Sequence, residues 1–248
     1  GMAERSQYLR AIASGIGKRR QEFATITSDE GGQPLNKVCF SQIDRTQKII
    51  NYYASLGEGY SIEELHQGLD NPFILRKEPV GVAGIIAPWN APLFISFFGI
   101  APALLAGCTV VLKPAPETPL HAYLLAKVCE EVGLPPGVLN IVPAEREASE
   151  SLVRHPGIDK IGFTGSTATG RRIGAICGET LKRFSLELGG KSAAIILDDV
   201  DLDKVMPQLV GSAVMNSCEA CVGQTRTLVP RSRYHEIVDA YVASVAKL

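Results

Sequence analysis

The chain has no excess of either charge, with 25 Lys and Arg against 26 Asp and Glu mixed along 248 residues. Without a run of Lys and Arg nothing can track a phosphate backbone, which argues against nucleic acid as a partner. An uninterrupted apolar stretch of membrane-spanning length is also missing. The longest apolar run follows Trp89 and is broken by Pro92, Gly99, Pro102 and Gly107, the pattern of a buried core segment. Zinc-type spacing is absent as well. The four histidines (His66, His121, His155 and His235) are scattered, and the pair Cys218 and Cys221 has no second CxxC to complete a ligand set, so no metal is expected. The remaining cysteines, Cys39, Cys108, Cys129 and Cys177, lie in apolar segments and form no secreted disulfide framework. A reducing compartment, the cytoplasm, is expected. The leading Gly1-Met2 reads as a tag remnant.

What is present is alternation. Residues 3–56 read as two helices separated by SDEGGQP, with Leu9, Ile12, Ile16 and Phe23 at helical spacing. Residues 57–71 are polar and punctuated, and FILRKEP after them is strand-like. From there short β-branched runs, at 80–87, 108–112, 138–142 and 159–163, alternate with helical patterns. The helix between the second and third of these is expected to start with Thr118 as N-cap and Pro119 as first helical residue, and to end near Gly133. Such alternation predicts an α/β fold with a parallel sheet covered on both faces. LKRFSLELGGKSAAIIL then reads as two strands around a Gly-Gly bend, and a helix follows from Asp201. A domain boundary is expected at Gly189-Gly190.

Five stretches carry chemistry. NSCEACVGQTR holds Cys218 and Cys221, open on its own to three readings: a redox dithiol, two buried thiols, or a nucleophile with a neighbour. GFTGSTATG follows a strand and opens a helix, as a phosphate-binding turn does, but Thr167 stands where the middle Gly of GxGxxG belongs. An ordinary N-cap explains it equally well. In SLELGGKS, strand alternation turns Glu187 away from the face of Leu186 and Leu188, as a solvated carboxylate or a general base. APWNAP sets Asn90 at a strand end between prolines, as a turn residue or an oxyanion-binding amide. VLKPAPETP sets Lys113 at the next strand end, either exposed in a loop or contacting a ribose or phosphate.

The order of these stretches (PWN, VLKP, FTGSTxxG, LELGGKS, then a cysteine followed by xxQTR) resembles the aldehyde dehydrogenase superfamily, most strongly from Val80 to Pro230. The resemblance implies N-terminal helices and an oligomerisation strand over 1–79, a Rossmann-like dinucleotide-binding domain over 80–189, and the start of a catalytic domain over 190–248. It also implies an NAD(P)-dependent enzyme that oxidises an aldehyde to a carboxylic acid through a cysteine thiohemiacetal and thioester. By correspondence Cys221 is the nucleophile, Glu187 the general base and Asn90 the oxyanion donor. Lys113 touches the adenosine ribose, Gly165 and Ser166 form the turn at the pyrophosphate, and Trp89 lies beside the cofactor cleft. The implied cofactor is NAD, with NADP possible, and the implied assembly is a homo-oligomer, a dimer or a tetramer.

The sequence departs from the family pattern in four places. Cys218 replaces a Gly that would suit a left-handed backbone, and it adds a second thiol able to close a reversible disulfide with Cys221. Glu219 replaces a Gln, from which a slower nucleophile is expected. Pro116 stands where NAD-preferring relatives carry a ribose-binding Glu, which removes repulsion against a 2′-phosphate. The chain also ends before the family's EIFGP-type segment, as a fragment or a truncated product would. The alternative function is a non-catalytic dinucleotide-binding or interaction protein on the same scaffold, and a third is a cofactor-free thioester hydrolase.

Overall fold

The computed structural model describes residues 1–248, the side chain of Arg146 excepted. It divides into two compact units, Gly1–Glu187 and Leu188–Leu248. The first opens with helices α1 (Met2–Lys18), α2 (Arg20–Gly31) and α3 (Phe40–Leu56), with a single π-helical turn at Leu35–Cys39. The two helices expected over 3–56 are therefore three. The first pattern breaks at Arg19, whose φ of −107° and ψ of 23° leave the helical region. Burial survives the break, since Leu9, Ile12, Ile16 and Phe23 are all fully buried. The apolar period that suggested one helix comes from a shared core face.

A hairpin follows, β1 (Glu63–Gln67) antiparallel to β2 (Pro72–Arg76). β2 lies in the strand-like FILRKEP. β1 falls in the segment expected to be only polar connection. EELHQ is almost wholly exposed, so it shows none of the apolar alternation by which a half-buried strand is recognised.

The main sheet has the order β5-β4-β3-β6-β7. Its strands are β3 (Val82–Ile86), β4 (Thr109–Lys113), β5 (Leu139–Ile141), β6 (Lys160–Gly165) and β7 (Arg183–Leu188). β3 pairs in parallel with β4 and β6, and β4 with β5. Four consecutive residues of β3 are buried, the continuous apolar run of a strand covered on both faces. The linking helices are α4 (Pro92–Ala106), α5 (Leu120–Glu131), α6 (Arg146–Arg154) and α7 (Thr167–Glu179). Successive residues of β3 show the two covers. Ile85 packs on α4, where a Cβ added to Gly99 would lie 2.6 Å from Ile85 Cδ1, while Gly84 faces Leu152 of α6 and Ile158. The core on the α4 side is continuous from Leu9, Ile43 and Ile50 through Phe97 and Ile100 to Leu125 and Val128.

One helix start differs from expectation. The N-cap of α5 is Pro119, not Thr118, and no side chain caps it in the expected way. Its end is as expected: Gly133 (φ 71°) donates its N–H to Glu130 O (3.0 Å) and Leu134 donates to Cys129 O (2.9 Å), a Schellman closure that needs a left-handed residue.

In the second unit β8 (Ala193–Ile195) pairs in parallel with β9 (Arg226–Leu228), and α8 (Leu202–Val214) packs on α9 (Tyr234–Val245). Ala194, Ile196, Met206, Leu209, Val210 and Ile237 form its core. Pro207 lies inside α8, in the second turn, and the helix continues past it.

Candidate functional site

In the sheet of the first unit the order reverses at β3: successive strands run outward to β4 and β5, then to β6 and β7 on the other side. In open α/β sheets ligands bind beyond the carboxyl ends of the strands at such a reversal. The register sets Ile86 of β3 opposite both Lys113 and Phe163, so the loops after β3 and β6 and the last residue of β4 leave the same edge. Trp89, Asn90, Lys113, Gly165 and Ser166 are thus gathered at one edge of one sheet.

Trp89 and Asn90 lie between the end of β3 and Pro92, the first residue of α4. Trp89 is 41% exposed and Asn90 is half-buried. Both backbone carbonyls in this loop are held from elsewhere. Gln33 Nε2 donates to Asn90 O at 2.6 Å, and Thr118 Oγ1 donates to Trp89 O at 3.3 Å. Thr118, expected as a helix cap, instead ties two loops together.

Lys113 is only 7% exposed, which rules out the reading of a solvated loop lysine. Burial lowers its pKa from the ordinary lysine value, partly opposed by the nearby carboxylates of Glu117 and Glu145. Across β3, Ser166 is the N-cap of α7, its Oγ accepting from Thr169 N at 3.2 Å and donating to Thr169 Oγ1 at 2.9 Å. A Cβ on Gly165 would lie 2.5 Å from Phe163 Cζ, so no larger residue fits that turn without displacing the ring. Glu187 ends the first unit. It is exposed, between half-buried Leu186 and Leu188, the alternation that strand geometry predicts.

Cys221 belongs to the second unit, in the loop between α8 and β9. Four cysteines are buried, but Cys218 and Cys221 are both exposed, so they are not core thiols. The preceding turn, Met215–Cys218, has three successive left-handed residues: Asn216 (φ 52°), Ser217 (φ 56°) and Cys218 (φ 67°). Residue 218, where the resemblance implies a Gly in relatives, is left-handed here with a Cys. The loop is then closed locally, Glu219 N donating to Asn216 O and Gly223 N to Ala220 O, each at 3.0 Å. Gln224 anchors it to α8, since its N–H donates to Ser212 O (3.2 Å) and its Oε1 accepts from Ser212 Oγ (2.9 Å).

Sequence reading missed the buried polar groups behind the sheet edge. Gln42 Nε2 donates to Gln33 Oε1 at 2.7 Å, and these glutamines are 7% and 2% exposed. Glu30 accepts from Leu120 N at 3.0 Å, capping α5 from α2, and burial raises its pKa. His121, fully buried, donates from Nδ1 to Thr118 O at 2.7 Å. Its Nε2 is buried without a partner among the described residues, and burial brings its pKa down to about 4. Glu30 and Gln33, inside SDEGGQP, look like loop residues. The one signal that could have pointed to Gln33 is its place between a Gly and a Pro, two residues that restrict or specialise the backbone. Among the described residues no three His, Cys, Asp or Glu gather to hold a metal, and no helix is long and apolar enough to cross a membrane.

A parallel sheet covered on both faces, with its polar residues at the carboxyl edge of the order reversal, defines the Rossmann-like class of α/β domain. A model of the aldehyde dehydrogenase family matches residues 1–248. Geranial dehydrogenase of Castellaniella defragrans is 45% identical over 98% of this chain and 51% of its own length. Peroxisomal aminoaldehyde dehydrogenase 1 of Malus domestica is 41% identical, over 96% and 48%. The crystal structure of Mycobacterium tuberculosis aldehyde dehydrogenase complexed with NAD+ superimposes with a TM-score of 0.94 at 46% identity, over all of this chain and 51% of that one. The chain belongs to the aldehyde dehydrogenase family. It spans about half the length of the curated relatives it matches.

Proposed function

We propose that this chain supplies the nucleophile, oxyanion donor, general base and dinucleotide-binding edge for oxidation of an aldehyde to a carboxylic acid. The observation that carries the reading is the gathering of Trp89, Asn90, Lys113, Gly165 and Ser166 on one sheet edge of a family member. NAD fits that edge. Lys113 is a buried cation at a strand end, Ser166 opens a helix of 13 residues, and Gly165 keeps the turn between them free of a side chain. By family correspondence Lys113 would hold the adenosine ribose, and the Ser166 turn would hold the pyrophosphate. When bound there, NAD supplies the acceptor for the hydride that leaves the aldehyde carbon. Pro116 leaves no carboxylate at that position to repel a 2′-phosphate, which keeps NADP possible beside NAD.

The chain's own residues do the rest. The Cys221 thiolate adds to the carbonyl carbon, forming a C–S bond while the C=O electron pair moves to oxygen. By family correspondence, the Asn90 amide and the Cys221 N–H are the groups that would stabilise that oxyanion. Oxidation leaves a thioester on Cys221. Glu187 then takes a proton from water, the resulting hydroxide adds to the acyl carbon, and the thiolate departs as the acid forms. By family correspondence the enzyme is a homo-oligomer.

In the full natural chain, Cys221→Ala is expected to lower aldehyde-dependent NADH formation by about 10³-fold or more. The same variant should retain NAD binding, read by isothermal titration with NAD. Unchanged turnover in Cys221→Ala would overturn the nucleophile. NAD binding by the wild type without any NADH formation would leave a dinucleotide-binding protein on this scaffold.

A further inference from the structure

We infer that Gln33 is a positioning residue for Asn90, its carboxamide fixing the peptide that follows Asn90 so that the asparagine amide is set before an oxyanion forms. This rests on the reading of Asn90 as oxyanion donor. Gln33 is held at both ends. Its backbone carbonyl accepts from Ser28 Oγ (2.7 Å) and Cys39 Sγ (3.5 Å), and its side-chain Oε1 accepts from Gln42 Nε2 (2.7 Å). Its backbone is confined as well, between Gly32 at φ 69° and Pro34 at φ −58°. From this fixed base Nε2 donates to Asn90 O at 2.6 Å, across 57 residues of sequence.

If a carbonyl in a half-buried loop needed only satisfaction, water would serve nearly as well as an amide. Here the donor is itself buried, and a second buried amide sets its orientation, so a direction is specified and not merely a partner. Direction matters for an oxyanion donor, whose value lies in needing no reorganisation when charge develops. A displacement of about 1 Å in such a group costs about 10²-fold in rate.

The test uses the full natural enzyme with Gln33→Met, which keeps the reach without the donor, and Gln33→Glu, which keeps the acceptor for Gln42. Each is made in the wild type and in Asn90→Ala, with melting temperature as the check on folding. In the wild type, kcat is expected to fall by about 10- to 100-fold with KM for NAD held within about twofold. In Asn90→Ala the same changes should cost nothing further, because the group they position is gone. An unchanged kcat, or an equal loss in both backgrounds, overturns the inference. Should the Gln33 variants not fold, Gln42→Met decides it by the same comparison, with a smaller loss expected. If Asn90→Ala is as fast as the wild type, the reading of Asn90 falls and the inference with it. A slow Asn90→Ala beside an unaffected Gln33→Met overturns the role of Gln33 alone.

Discussion

The loop after β3 and the loop before Cys221 are each held in place, by opposite means. The first is gripped from outside, with Gln33 and Thr118, from two other parts of the unit, each holding one of its carbonyls. The second is shaped from within, by three left-handed residues in a row and short-range turns, and Ser212 of α8 secures it through Gln224. A left-handed conformation costs a non-glycine residue about 1–2 kcal/mol. The external grip depends instead on desolvated polar groups that must all find partners. One teaches that a loop at the sheet edge can be held rigid by buried tertiary donors to its backbone carbonyls. The other shows that an exposed thiol can be presented by local backbone strain, which clusters at functional sites.

This contrast can be broken at His121, where the external grip is most sensitive to pH. Burial brings its pKa from 6.5 down to about 4, so between these values the unfolded chain binds a proton that the folded chain does not. Its contribution is complete above pH 6.5 and is lost as pH falls towards 4, about 3 kcal/mol in all. Glu30, pushed up by burial, acts with the opposite sign. The expected outcome is therefore read as the difference in pH slope between wild type and His121→Leu in denaturant melts. Equal slopes would remove the argument.

A smaller effect is expected at Thr118. Thr118→Val keeps the shape, deletes the bond to Trp89 O and costs about 1 kcal/mol. Because the loop carries the sole tryptophan, its emission should shift as well. A change in melting temperature with unaltered emission would mean that Thr118 does not order this loop. The smallest effect, of opposite sign, belongs to the second loop. Cys218→Gly removes left-handed strain at φ 67° against the entropy of a freer unfolded chain, for a net gain of about 0.5 kcal/mol. A loss of stability would show that the thiol makes a contact worth more than the strain.

Much of the sheet was legible because its strands read as short apolar runs between helical patterns, the central β3 being buried over four successive residues. The strands expected at 80–87, 108–112, 138–142 and 159–163 correspond to β3, β4, β5 and β6. The residues at the sheet edge were legible as motifs, each weak alone. Three features were not legible, for different reasons. The break at Arg19 leaves the core period intact, β1 has no apolar face, and Thr118-Pro119 has the composition of a cap whose hydroxyl is used elsewhere.

The amino-acid order by itself determined the parallel α/β class and the family motifs. These depend on periodicity and on steric limits within a few residues, which neighbours along the chain already impose. Only the tertiary structure decided that Lys113 is buried, that His121 is sealed in without a partner for Nε2 among the described residues, and that Gln33 reaches Asn90. Those outcomes turn on desolvation and on contacts between segments far apart in sequence. Local propensity contains neither until the core has closed.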